Sequence, residues 1–149
     1  MNNYVVGFLF SENRENVVLI LKLRPVWQKG LYNGVGGKVE QAESPEVAMV
    51  REFYEETGVK TKTDEWSNYA HIVRPSGYDL HVFSAFSDQL YAVRSVEREV
   101  VEFFNVSNLP QNLISNLKWL IPLALDKDID FSEPIFAREY FHEEWGSAK

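Results

Sequence analysis

Between Gly37 and Val59 the chain reads Gly37, five residues, Glu43, seven residues, then Arg51-Glu52-Phe53-Tyr54-Glu55-Glu56-Thr57-Gly58-Val59. Carboxylates at such close spacing suit two kinds of chemistry: holding hard divalent cations through oxygen, and accepting protons. Ser44 is a good helix N-cap, Pro45 fits the first helical position, and Glu46 favours the positive helix start. Gly58 supplies a left-handed stop. At 100° per residue the helix between them places Val47, Met49, Val50, Phe53 and Tyr54 on one side. Glu52, Glu55 and Glu56 fall on the other side, with Ala48 between them and the helix start. Within the helix no lysine stands at i+3 or i+4 from any of the three. A solvated polar face explains the amphipathic pattern but not the unbalanced packing of acids between two glycines. Mg²⁺ or Mn²⁺ relieves that repulsion, and metal binding is the expected role.

The elements that must carry this helix are strands. Tyr4–Phe10 and Asn16–Leu23 are β-branched, apolar runs joined by a polar turn, and they read as a hairpin. Extended stretches are expected near Asn68–Val73, Leu80–Phe86 and Val100–Val106. A second helix is expected from Leu113 to Leu125, where Leu113, Leu117, Leu120, Ile121 and Ala124 have helical spacing and Pro122 marks a kink or break. The tail 126–149 is charged and aromatic and is expected to add at most a short element or strand. Two helices covering opposite faces of the strands make an α/β sandwich.

Composition narrows the class. The chain has 149 residues, 45% hydrophobic and 25% charged, as expected for a folded protein of one domain spanning 1–149. It has no cysteine, which excludes disulfides, thiolate metal sites and a cysteine nucleophile. A net charge of −7 argues against a nucleic-acid polymer as partner. A small polyphosphate remains compatible when metal ions invert the local field. The N-terminus lacks a basic leader and no segment reads as a membrane span, so a cytoplasmic protein without a membrane partner is expected. Nothing in the sequence bears on oligomeric state.

The Gly37–Val59 block resembles the signature of the Nudix hydrolases, with Phe53 standing where an aliphatic residue is usual. The resemblance implies an α/β/α sandwich with a mixed β-sheet between helices. It implies that Glu52, Glu55 and Glu56 are metal ligands, that the Gly37 carbonyl joins them, and that Mg²⁺ or Mn²⁺ is the cofactor. One glutamate, with Glu52 favoured, or a glutamate from a distant loop acts as general base. Glu97 and Glu99, just before a later strand, are candidates for a further ligand, with Glu99 the closer; an exposed edge acid is the alternative for each. Lys38 is placed near substrate phosphate. Glu43 orients the catalytic helix, and Arg51 pairs with a glutamate of the block to hold its angle.

The implied reaction is attack of water on a nucleoside diphosphate linked to a further group. The run Tyr32-Asn33-Gly34-Val35-Gly36-Gly37-Lys38 looks like the segment in MutT-type enzymes that clear oxidised purine nucleoside triphosphates, which makes Asn33 the base contact. Asn116 and Trp119 are further candidates for hydrogen bonding and stacking, although Trp119 equally suits the core. Those relatives often carry acids where this chain has Ser115-Asn116-Leu117-Lys118-Trp119. Pro75 is a cue for ADP-ribose pyrophosphatases, but Arg74-Pro75-Ser76-Gly77 is also a good turn. A nucleoside triphosphate, cleaved to monophosphate and pyrophosphate, therefore ranks ahead of ADP-ribose or a nucleotide sugar. A non-catalytic nucleotide-binding or sensor module is the alternative of another class. His71, His81 and His142 are assigned no role.

Overall fold

The computed structural model describes residues 2–74 and 77–140; Pro75, His142 and the end of the aromatic tail lie outside them. Ten regular elements follow one another: β1 (Asn2–Phe10), β2 (Asn16–Leu21), β3 (Tyr32–Asn33), β4 (Val35–Lys38), α1 (Pro45–Thr57), β5 (Ser67–Arg74), β6 (Tyr78–Phe86), β7 (Val100–Asn105), α2 (Leu117–Leu125) and β8 (Ile135–Arg138). The strands form one mixed sheet ordered β3-β2-β1-β6-β5-β8, with β4 also paired to β1 and β7 to β2. Residues alternate in facing along each strand. Val5, Leu9, Val18, Ile20, Phe83 and Ala85 therefore meet Ala48, Met49 and Phe53 of α1. Val6, Phe8, Phe10, Val17, Leu19 and Val82 meet Leu117, Leu120, Ile121 and Ala124 of α2. The sandwich expected from the sequence is present. No described helix is long and apolar enough to cross a membrane.

Three local expectations are corrected. The hairpin of β1 and β2 pairs only at Phe10↔Val17. Farther along, β4 takes that edge of β1, from Tyr4↔Lys38 to Gly7↔Val35, so β1 and β2 splay apart. The opposite edge of β1 runs parallel to β6 along its whole length. The second helix begins at Leu117 rather than Leu113, because Leu113 bridges Tyr32 instead. That helix then continues through Pro122 to Leu125. The tail supplies the short strand expected there: β8 is a parallel neighbour of β5, from Ala70↔Ile135 to Val73↔Arg138.

The third correction concerns the faces of α1. Ser44 Oγ accepts from Val47 N at 3.2 Å, and Gly58 ends the helix at φ 77°, as its caps require. Yet Val47 and Tyr54 are about half exposed, while Ala48 and Glu56 are buried. Two contacts set the rotation: Met49 lies against Gly7 of β1, and Phe53 packs edge-on against Trp66 at 5.3 Å. The buried stripe thus runs through Ala48, Met49, Phe53 and Glu56, turning one carboxylate inward.

Close approach of β4 to β1 depends on Gly36. A Cβ there would fall on the Val5 carbonyl oxygen, which is backbone and has no room to retreat. Gly36→Ala is expected to destabilise the fold by about 2–3 kcal/mol, by overpacking. Urea unfolding measures it, and a loss below about 0.5 kcal/mol would show that β4 is free to move.

Candidate active site

The splay of β1 and β2 opens a cleft of about 1170 Å³. Its acidic wall combines three elements. Glu52, Glu55 and Glu56 come from α1, Gly36 and Gly37 from β4, and Glu97 and Glu99 from the segment before β7. The pairing of β7 with β2, which runs to Leu21↔Val100, delivers that segment beside Lys22. Of the residues expected near substrate, Asn33 and Asn116 line the cleft. Lys38 is exposed and does not line it; its carbonyl instead accepts from Arg51 Nη2 at 3.1 Å. Trp119 is exposed on α2 and is also absent from the lining.

Arg51 organises the acids. It grips Glu43 with two bonds, Nε to Oε2 at 2.7 Å and Nη2 to Oε1 at 2.9 Å. Its Nη1 donates to Glu52 at 3.1 Å and to Glu55 at 3.2 Å. The bond from Arg51 holds the Glu43 carboxyl below its ordinary range, and Glu43 in turn pushes the Arg51 pKa up. Gly37 leaves the space in which the Glu52 carboxylate lies; a Cβ there would collide with it. Burial raises the Glu52 pKa, Arg51 opposes that rise, and Glu55 and Glu97 add to it.

Glu56 is the extreme case. It is 8% exposed and its Oε2 has no hydrogen-bond partner. Burial pushes its pKa up to about 8, with Lys22 opposing and Glu52, Glu99 and Glu97 contributing to the rise. Lys22 itself is tied to Glu99, Nζ to Oε1 at 3.0 Å, and Glu99 Oε2 accepts from Leu23 N at 2.6 Å.

These residues suit a divalent cation. The donors are hard carboxylate oxygens, one of them buried without a partner, and each gains from a nearby positive charge. Among the described residues no set of three acids or histidines converges tightly enough to hold an ion as placed. Arg51 draws Glu52 and Glu55 aside, and Lys22 with Leu23 N draws Glu99.

A pH dependence follows. The folded-state pKa of Glu56 lies above its unfolded value of 4.5. Its contribution to stability is therefore complete below that unfolded value and is lost as pH rises through about 8. In chelator, the melting temperature should fall between those limits, and Glu56→Gln should flatten that part of the profile. A wild-type profile already flat there would contradict the buried carboxyl.

Sequence reasoning missed the end of the cleft away from the acids, lined by Arg24, Trp27, Gln28, Arg74 and Tyr78. The one available signal was the cationic, proline-containing run Lys22-Leu23-Arg24-Pro25 directly after an apolar strand. Asn33 is engaged there: its Nδ2 donates to Gln28 Oε1 at 3.1 Å and its Oδ1 accepts from Gly34 N at 2.8 Å. Asn116 Nδ2 donates to Glu139 Oε2 at 3.4 Å.

Three comparisons bear on the site. The family model described as NUDIX domain matches residues 1–138. An oxidized purine nucleoside triphosphate hydrolase of Mus musculus is 29% identical over 118 residues, covering 76% of this chain and 74% of that protein. Among solved structures, a mutator MutT protein from Bacillus halodurans superposes with TM-score 0.72 at 18% identity, covering 97% of this chain and 92% of its own. The NUDIX domain of Shewanella oneidensis NrtR, solved in complex with ADP ribose, gives TM-score 0.67 at 20% identity over 83% and 85% of the two chains.

Proposed function

The chain belongs to the NUDIX domain family, and from that premise we propose that it hydrolyses a nucleoside triphosphate to the monophosphate and pyrophosphate. The observation that carries this reading is the cleft itself, where Glu52, Glu55 and Glu56 share one space with Asn33. The similarity to an oxidized purine nucleoside triphosphate hydrolase favours a purine triphosphate, including an oxidised one.

Glu52, Glu55 and Glu56 would hold Mg²⁺ or Mn²⁺, with the Gly37 carbonyl and Glu97 or Glu99 as further oxygen donors. When bound, such an ion neutralises phosphate charge and makes water acidic enough to supply a nucleophile. The chain's own residues do the remaining work. Arg51 spends its donors on Glu43, Glu52 and Glu55, and so fixes where two of those carboxylates point. Glu52, with its raised proton affinity, is suited to accept the proton of the attacking water. Lys22 places a cation near Glu56 and Glu99, where it offsets part of the carboxylate charge.

The test is a panel of undamaged and oxidised nucleoside triphosphates, ADP-ribose, nucleotide sugars and dinucleoside polyphosphates, with Mg²⁺ or Mn²⁺. Release of pyrophosphate with a purine monophosphate is expected. Turnover of ADP-ribose in preference to every triphosphate would replace this reading, and no turnover of any diphosphate would end it.

A further inference from the structure

Glu99 commits both carboxylate oxygens to the loop that follows β2. Its Oε1 accepts from Lys22 Nζ at 3.0 Å and its Oε2 from Leu23 N at 2.6 Å. The Lys22 and Glu99 side chains are only 16% and 13% exposed, so salt and water screen the pair weakly. The loop is closed at its other end by Gly30 N, which donates to Lys22 O at 2.9 Å. Asn112 Nδ2 holds that closure by donating to Gly30 O at 3.0 Å. Between the two closures run Leu23, Arg24, Pro25, Trp27 and Gln28, all of which line the cleft. A carboxylate placed to join the metal donors is therefore also the clasp of a cleft wall. Lys22 serves a second acid as well: its charge favours the ionised form of Glu56, whose Oε2 has no partner. One ammonium thus supplies, in part, the positive charge that the acids lack.

We propose that Lys22 is an internal counter-cation which a divalent ion displaces, and that Glu99, in changing partners, releases the loop 23–30. The proposal rests on the metal-dependent reading above and deepens it: the ion binds first, and its binding frees one wall of the cleft to adjust around the substrate. The two engagements of Glu99 exclude each other. Among the described residues no three acids converge on one point while Lys22 and Leu23 N hold Glu99. A divalent ion attracts a carboxylate about twice as strongly as an ammonium at the same distance, and it repels an ammonium left beside it. Once Glu99 turns to the ion, Leu23 N loses its acceptor and only the Gly30 closure still holds the loop. Linkage makes the effect reciprocal, so whatever loosens the loop must tighten the ion. Asn112 separates this coupling from plain electrostatics, because it is uncharged and does not line the cleft.

The experiment uses the full chain with Mg²⁺ alone and no nucleotide. Calorimetry reads affinity, and NMR reads amide exchange at Leu23 and Gly30. Saturating Mg²⁺ should speed exchange of both amides at least about tenfold in the wild type. Lys22→Met, which keeps the stem and removes the charge, should bind Mg²⁺ about fivefold more tightly. Asn112→Ala should also tighten it, by about two- to fivefold, although it changes no charge. Glu99→Gln should bind about tenfold more weakly and show no ion-dependent exchange. Mg²⁺ binding with Leu23 and Gly30 exchange unchanged would overturn the release and leave the metal-dependent reading standing. Lys22→Met binding no more tightly than wild type would overturn the displacement. Tightening by Lys22→Met with none by Asn112→Ala would reduce Lys22 to a nearby charge and overturn the coupling. No Mg²⁺ binding by wild type or by Lys22→Met would defeat the metal reading and this proposal together. Because these readouts need no turnover, a chain inactive on every nucleotide that still frees its loop on Mg²⁺ defeats the proposed reaction alone.

Discussion

Glu56→Gln should lower kcat by about 10³-fold on any substrate the protein turns over, while leaving its melting temperature in chelator at pH 7 unchanged or raised. The two halves of this expectation have one cause. Glu56 is buried, its Oε2 lacks a partner, and it sits in the negative field of Glu52, Glu99 and Glu97. Without a bound cation that arrangement holds a proton the group would lose in water, so the folded chain gains little from the carboxyl. An amide of the same shape removes the ionisable group without opening a cavity. Catalysis loses an oxygen donor that becomes useful only when a cation favours its ionised form. Steady-state kinetics and thermal unfolding on the same sample read both halves. A variant that keeps kcat within about tenfold would show that turnover does not depend on Glu56, and a variant that unfolds would place Glu56 in the core rather than the site.

The inward turn of Glu56 marks where sequence reasoning ran out. The caps of α1 are local chemistry: a hydroxyl three residues from an amide, a proline at a position needing no N–H, a glycine at positive φ. Each was legible because its partner lies within four residues. The rotation of α1 on the sheet is not local. It depends on Met49 finding the bare backbone of Gly7 and Phe53 finding Trp66, residues distant in sequence. An ideal helical projection that sums apolar side chains puts Val47 and Tyr54 inside and Glu56 outside, and packing reverses that.

The same distinction separates the two ends of the cleft. The acidic end was legible because its carboxylates recur at helical spacing within one element. The end holding Trp27, Arg74 and Asn116 draws each residue from a different part of the chain, with Glu139 bonded to the last two. It exists only because β4 displaces β2 from β1 and β8 comes alongside β5. Parallel pairing of a terminal strand leaves no hairpin turn to announce it. Lys38 shows the converse. The family resemblance places it near phosphate; at the end of β4 the backbone alternation turns its side chain to solvent, and its carbonyl accepts from Arg51.

Arg51→Met should cost about 2–3 kcal/mol of folding stability above pH 6. Methionine keeps most of the aliphatic stem, so the loss isolates the guanidinium. That group serves the Glu43, Glu52 and Glu55 carboxylates and the Lys38 carbonyl at once, with its side chain only 24% exposed. Removing it leaves Glu43 and Glu52, both largely buried, without their cation, and an abandoned partly buried charge costs more than a surface pair ever contributes. The sign of the pH dependence discriminates this cause from lost packing. Glu43 has a folded pKa below its unfolded value of 4.5, so the stability it supplies is present above that value and disappears as pH falls through the folded pKa. The deficit of Arg51→Met should therefore shrink in acid, whereas a packing defect would persist. Glu43→Gln in the same chain should recover part of the loss, because it removes one of the stranded charges. A pH-independent deficit, or strict additivity of the two substitutions, would mean that Arg51 acts through its stem. With the guanidinium gone, Glu52 and Glu55 also lose the bonds that aim them, so turnover should fall further than stability alone accounts for at temperatures where the variant remains folded.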